Sequence, residues 1–417
     1  MRLHIPPALL HRRFRLLWIG LTISVAGSRM QFWALLWHIR TLTDQPIALG
    51  LVGLSRVVPI IIFSLIGGAV ADVFDRRKIL FVTQSVQTIN AVVLGLLTLS
   101  GQIQLWHLYV LTVIEGIAFS FDLPARQSLT PNLVPAKDLP NAFSMQSIAF
   151  TTGNIVGPAL SGLVLASPFL GQAYAYLFNA ISYIAIFWAL IGIGPVEQQR
   201  DAGGGRIDFQ AIADGVRFIR RQPLIMATML LDFIATFFSS AFALLPIYAV
   251  DILNVGELGY GLLSSAAFIG AALSAAIVSQ MGEMRRQGPI LLASVVLYGL
   301  ATIGFGLSTN YTLAFIALMF VGAGDTVSTI IRNTIRQLQT PDNLRGRMTS
   351  INQIFFMGGP QLGELEAGLV AQFFGAPVAV ITGGIACIAG VGWVARRWPS
   401  LLQYNGDEPI AAGANGD

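Results

Sequence analysis

Gly67-Gly68-Ala69-Val70-Ala71-Asp72-Val73-Phe74-Asp75-Arg76-Arg77-Lys78 joins two apolar runs, Leu49–Ala71 and Ile79–Ser100. Each run is long enough to cross a hydrocarbon core of ~30 Å as a helix. The joining segment is a tight turn with two acids and three consecutive cations. Short cationic loops of this kind lie on the cytoplasmic side of a membrane. The glycines before the turn let helices approach closely in lipid, where small residues make the best contacts.

The rest of the chain agrees. Of its 417 residues 54 % are hydrophobic and 11 % charged, and the mean hydropathy is +0.69. Soluble domains carry about 25 % charged residues, so the composition excludes a soluble protein. Twelve apolar stretches follow one another, near residues 15–38, 47–71, 79–100, 106–126, 144–166, 173–193, 223–249, 258–281, 289–307, 312–333, 349–373 and 378–395. The expected fold is an all-α membrane protein of twelve transmembrane helices. Met1–Arg15 reads as a basic, proline-containing leader without a cleavable signal peptide. The single cysteine, Cys387, falls in the last span, excludes an internal disulfide and suits a packing role.

Charge placement predicts the topology. With Arg126 and Arg332, at the inner ends of their spans, counted with the adjoining loops, all but three of the 25 Lys and Arg residues fall in the leader, the even-numbered loops or the tail. Arg40 lies in an odd-numbered loop, and Arg29 and Arg56 lie within spans. Both termini are therefore expected on the cytoplasmic face. The net charge of +4 follows from this bias and calls for no nucleic-acid partner.

Shifted by 206 residues, Arg126 falls on Arg332, Pro135 on Pro341 and Ser144 on Ser350. The same shift places Gly153 on Gly359, Gly157 on Gly363 and Gly162 on Gly368. Two pseudo-symmetric six-helix bundles are expected, over residues 1–193 and 223–417. A cytoplasmic linker over 194–222 would join them. It contains Gly203-Gly204-Gly205 and a basic amphipathic segment, Phe209–Arg221, suited to the inner membrane face.

Parallel repeats with a site between them are a transporter plan. The only lysines, Lys78 and Lys137, do not follow glycines, so the phosphate-binding loop of an ATP-driven pump is absent. No His or Cys cluster has metal-ligand spacing, and no cofactor or enzymatic centre is expected. Energy would come from an ion or solute gradient.

Charged residues inside the spans mark the pathway: Arg29 (span 1), Arg56 (span 2), Glu115 (span 4), Asp232 (span 7), Asp325 (span 10) and Glu364 (span 11), with Glu366 beside it. Six charges facing lipid would cost on the order of 15–20 kcal/mol on insertion scales, so they are expected to face a cavity or one another. Counted this way, five acids oppose two arginines. The expectation is excess negative charge, with Glu115, Asp232, Asp325 and Glu364 as proton carriers or contacts to a cationic solute. Arg29 and Arg56 would pair with some of them or hold an anionic group. Asp122 and Arg126, four apart at the inner end of span 4, read as an intrahelical pair. Trp33, Phe237, Phe238, Phe355 and Phe356, with Gln31 and Asn352, suggest a largely apolar site for an amphipathic or aromatic solute.

Gly68, Asp72, Asp75, Arg76 and Arg77 resemble the gating loop between the second and third spans of the major facilitator superfamily. Val73 and Asp75 stand where that pattern has a basic residue and a glycine. Gly153, Gly157, Pro158 and Gly162 in span 5 resemble the Gly-Pro motif of drug–proton antiporters, with Ser161 at a frequent glycine place. Pro124–Pro131 with Leu139–Ala142, Pro341–Arg347, and Gln361–Glu364 followed by Gly368 look like the enterobactin-exporter and macrolide-efflux branch. The resemblance covers the whole chain. It departs in span 4, where Val113 occupies the place of a coupling arginine three residues before Gly116.

The resemblance implies the major facilitator fold, in which spans 1, 4, 7 and 10 line a central cavity. Spans 3, 6, 9 and 12, which here carry no interior charge, support it from outside. It also implies a proton-coupled exporter of a small drug-like or siderophore molecule, acting as a monomer in the bacterial inner membrane by alternating access. In that scheme Asp72 would latch one state at the positive end of a helix, with Arg76 and Arg77 near anionic lipid headgroups. An uptake transporter for a metabolite or lipid is the alternative on the same fold.

Overall fold

The structure is a computed structural model that describes residues 6–196, 198, 217–240, 242–282, 284–341 and 344–406. The expected linker, with its triple glycine and most of Phe209–Arg221, lies largely outside the described residues, as does part of the loop Pro341–Arg347.

Twelve long helices follow one another among the described residues, with no strand. They are α1 (Arg12–Leu42), α2 (Pro46–Val73), α3 (Arg76–Leu99), α4 (Leu105–Leu129), α5 (Leu139–Leu165) and α6 (Gln172–Ile193). The series continues with α7 (Pro223–Phe238), α8 (Gly256–Gln280), α9 (Gln287–Leu307), α10 (Tyr311–Leu338), α11 (Arg345–Phe374) and α12 (Ala376–Arg397). Helical spans satisfy every internal backbone group without water, which hydrocarbon demands. Ten of the apolar segments are long and hydrophobic enough to cross a membrane. The other two helices, α1 and α11, carry more charged and polar residues, and α1 buries Ser24, Gln31 and His38 among its neighbours.

Helix ends follow local chemistry. The Asp75 carboxylate caps α3 by accepting from the backbone N–H groups of Arg77 (3.0 Å) and Lys78 (3.4 Å). Asn310 does the same for α10, accepting from Thr312 and Leu313. Such caps satisfy helix donors that have no partner within the helix. Between α11 and α12, Gly375 takes a φ of 87°, which only glycine adopts at little cost. Span 7 is interrupted. α7 stops at Phe238, and short 3-10, α and π turns carry the chain on to Ile252.

The chain forms two compact units. The first comprises Met1–Asp44, Ser55–Ile207 and Val255–Ser265; the second comprises Gln45–Leu54, Asp208–Asn254 and Ala266–Asp417. In the first unit α1 packs on α5 and α6, and α3 packs on α4 and α6. The second unit repeats the pattern, with α7 on α11 and α12, and α9 on α10 and α12. Phe14, Leu17, Tyr183, Ile186 and Leu190 centre one core. Leu231, Val295, Ile335, Val394 and the free, buried Cys387 lie in the other.

The repeated glycines are contact points. A Cβ at Gly162 would lie 2.8 Å from the Cα of Gly261 at the start of α8. One at the repeat mate, Gly368, would lie 3.0 Å from the Cα of Gly50 in α2. Each unit therefore closes one helix crossing glycine to glycine, as small-residue packing in membranes favours.

Candidate functional site

In the first unit a cavity of about 80 Å³ is lined by Arg29, Arg56, Glu115, Asp122 and Arg126, together with Gln84, Gln87, Phe32, Phe119 and Phe150. Arg56 of α2 reaches Glu115 of α4, Nη2 to Oε1 at 3.7 Å, with about a fifth of each side chain exposed. That is longer than the ~2.7–2.9 Å of a charge-assisted hydrogen bond, so the pair attracts without being locked. The Arg56 guanidinium lies over the Phe32 ring at 4.8 Å.

Asp122 is held on every side. It pairs with Arg126 one turn away and accepts from Gln84 Nε2 (2.6 Å) and Thr83 Oγ1 (3.2 Å) of α3. Arg126 in turn lies over Phe150 at 5.4 Å. The intrahelical pair expected from the sequence is present, but both members line the cavity. Beside them a polar chain crosses three helices. Tyr183 Oη donates to Gln87 Oε1 at 2.8 Å and contacts Ser28 Oγ at 3.0 Å.

Arg29 differs from its neighbours. Among the described residues its guanidinium has no ion-pair or hydrogen-bond partner, although it shares the cavity with Arg56. Its stem is set by α5. A Cβ at Gly157 would strike the Arg29 Cβ, and one at Gly153 would meet Val25 and Ala26. The Gly-Pro segment thus seats α1 with Gly153 and Gly157, and seats α8 with Gly162. Pro158 is buried between those contacts.

The second unit holds a different cluster. Asp232 of α7 is 1 % exposed and faces two guanidiniums of α10, Arg332 Nη2 at 3.0 Å and Arg336 Nη2 at 3.3 Å. Arg336 also donates to the carbonyl of Thr228 at 3.3 Å. Arg332 reaches Asp325 at 3.5 Å and donates to Thr329 Oγ1 at 2.8 Å. The Asp325 side chain is 47 % exposed. Glu364 of α11 lies against α2, where a Cβ at Gly53 would sit 2.7 Å from its Oε2. Glu366 is half-buried.

These contacts correct the expected excess of negative charge. Arg126, Arg332 and Arg336 are buried beside the acids, so Glu115, Asp122, Asp232 and Asp325 all have guanidinium partners. Arg332 escaped the count because it sits at the very end of its apolar run and was counted with the loop, and Arg336 because α10 runs on past that run to Leu338. The signal was there: Asp325, Arg332 and Arg336 recur at helical spacing and share one face.

The aromatic set divides. Phe233 and Phe237 stack, with Phe355 edge-on to Phe233 and Phe238 edge-on to Phe237. Phe356 is half-exposed. Trp33 and Gln31 are instead buried in packing. Tyr260 Oη donates to the Trp33 carbonyl, and Asn179 donates to Gln31 Oε1.

The gating-loop residues are also redistributed. Arg76 donates to the carbonyls of Ala71 and Ser128 and to Asn132 Oδ1, and Arg77 donates to the Leu190 carbonyl at 2.6 Å. Two guanidiniums therefore cap the C-terminal turns of α2, α4 and α6, where unpaired carbonyls and the helix dipole favour cations. Both guanidiniums are engaged by protein carbonyls. Asp72 is exposed. A Cβ at Gly68 would meet nothing within 4 Å, whereas one at Gly67 would run into the Ser120 carbonyl of α4, so the contact glycine is Gly67.

Twelve helices in two units of like packing, with arginines and carboxylates paired inside otherwise apolar helices, define a multi-pass membrane transporter of the major facilitator fold whose substrate is a small molecule. The chain belongs to the transmembrane secretion effector family, whose profile matches residues 6–400. It is similar to the enterobactin exporter of Salmonella choleraesuis (strain SC-B67), at 27 % identity over 384 residues, 91 % of each chain. It is also similar to the enterobactin exporter of Citrobacter koseri, at 26 % identity over 408 residues, 97 % of this chain and 96 % of the relative. The fold matches a solved bacterial homologue of the human lysosomal transporter Spinster, with a TM-score of 0.69 at 15 % identity, covering 96 % of this chain and 97 % of that one.

Proposed function

We propose that this protein is a proton-coupled exporter of a small amphipathic organic molecule, with siderophores of the enterobactin type among its substrates. It works as a monomer in the bacterial inner membrane with both termini cytoplasmic. Residues 1–193 and 223–417 rock against each other in alternating access. The names of the two relatives support export and the siderophore class. The lysine and arginine bias supports the orientation.

The observation that carries proton coupling is Asp325. It is half-exposed, and its guanidinium contact among the described residues, Arg332 at 3.5 Å, is shared with Asp232. When Asp325 takes a proton, Arg332 keeps its pairing with Asp232, so no buried cation is left uncompensated. Asp232 lacks that freedom, because protonating it would leave Arg336 without a carboxylate and Arg332 with only the longer contact to Asp325. One proton moving inward down 100 mV supplies about 2.3 kcal/mol, so one or two suffice for a moderate solute gradient. The test is enterobactin export from cells with and without the protein, repeated with an uncoupler. Export that needs the protein and collapses with the uncoupler supports the proposal. Export indifferent to the uncoupler refutes the coupling.

A further inference from the structure

Arg29, Arg56 and Arg126 face one small cavity with two carboxylates, Glu115 and Asp122. Each carboxylate already has a guanidinium, Arg56 for Glu115 and Arg126 for Asp122. Arg29 is the third cation against these two carboxylates, without an ion pair among the described residues, beside the like charge of Arg56 and sharing the attraction of Glu115, which Arg56 already engages. An unpaired charge next to a like charge is unfavourable inside a protein unless a ligand or solvent compensates it. The second unit has no such surplus at its cluster, where Asp232 takes both Arg332 and Arg336. Shifted by 206 residues, Arg29 falls on Ala235.

The cavity also has a shape. At about 80 Å³ it is well below the ~300–1,000 Å³ of a pocket that encloses a drug-sized ligand. It can hold a head group. Aromatic rings line it beside the guanidiniums, and Gly157 fixes where the Arg29 stem leaves α1. A planar guanidinium beside aromatic faces suits bidentate binding of an oxyanion carried on an aromatic ring.

We infer that this cavity is an anion subsite and that the transported solute enters it with a negatively charged oxygen group, a carboxylate, phenolate or sulfonate on an aromatic or amphipathic body. This rests on the transporter reading above and specifies the charge of its substrate. Arg29 is the contact residue, and Arg56 is a second donor that can turn from Glu115 because that pair is long.

The test is direct binding of radiolabelled benzoate to the full chain in phosphatidylcholine nanodiscs, where no anionic lipid can supply the group. Benzamide and benzylammonium serve as neutral and cationic competitors. Benzoate should bind at least about tenfold more tightly than either competitor, a difference on the scale of one ion pair. Arg29→Gln should lose that preference, and Arg29→Lys should keep part of it. Equal affinities for the three probes in the wild-type protein, or a preference that survives Arg29→Gln, would overturn the assignment. The wild-type comparison decides even if the glutamine variant fails to fold. Benzoate preference in a protein that exports nothing from cells would refute the transport reading and leave the anion subsite standing.

Discussion

Arg332, the repeat mate of Arg126, takes its nearer carboxylate from another helix: its Nη2 lies 3.0 Å from Oδ1 of Asp232 on α7. Arg126 takes its own from Asp122, one turn away on α4. The repeat has thus kept the buried cation in both halves and changed how it is neutralised. A pair within one helix moves as one body. A pair between α7 and α10 ties two helices together and responds to any shift between them.

That tie should dominate stability in the second unit. Asp232→Asn leaves Arg332 and Arg336 without a carboxylate of that quality and should cost about 3–5 kcal/mol, as breaking buried pairs does. Asp325→Asn should cost much less, since Arg332 keeps Asp232 and the Asp325 side chain is half-exposed. Melting temperatures of the two purified variants in one detergent give the ranking. Equal losses, or a larger loss for Asp325→Asn, would contradict it.

Adjacent glycines offer a sharper contrast. Gly67→Val should drive a side chain into the Ser120 carbonyl of α4 and separate α2 from α4. Gly68→Val meets open space in the same unit. Size-exclusion profiles after solubilisation should show Gly68→Val as a single sharp peak and Gly67→Val as aggregated or lost. The reverse pattern would mean that the register of α2 differs from the one described.

The fold was legible because twelve apolar runs, a cationic turn and a 206-residue repeat all point to it. The buried charges were legible as well: Arg29, Arg56, Glu115, Asp232 and Asp325 were all marked by the cost of a charge inside a span, and each lines the small cavity or joins the ion-pair cluster. The partners were not, because neutralisation is decided across helices. Arg332 and Arg336 sit near or past the end of an apolar window that hydropathy truncates, while the helix itself continues. One-residue register separates Gly67 from Gly68, and hydropathy has no such resolution. The fates of Arg76 and Arg77 depended on where α4 and α6 end in space, which loop composition does not encode.

Arg77 gives a test of that last point. Arg77→Ala removes a charged donor from the Leu190 carbonyl and uncovers the Phe81 ring, a loss of about 1.5–3 kcal/mol for a hydrogen bond from a charged group. Amide hydrogen exchange should quicken in the last turn of α6 in both neutral and anionic lipid. A change seen only in anionic lipid would place the side chain at the headgroups instead.

Proton coupling through Asp325 is the centre of the account, and proton movement measures it most directly. Purified protein is reconstituted in vesicles containing a pH-sensitive dye, and a catechol-type siderophore is added on one side. The account predicts solute-evoked proton flux through the wild-type protein. It predicts none through Asp325→Asn, which should still bind the solute. Wild-type solute transport with no proton flux, or undiminished flux through Asp325→Asn, would contradict it.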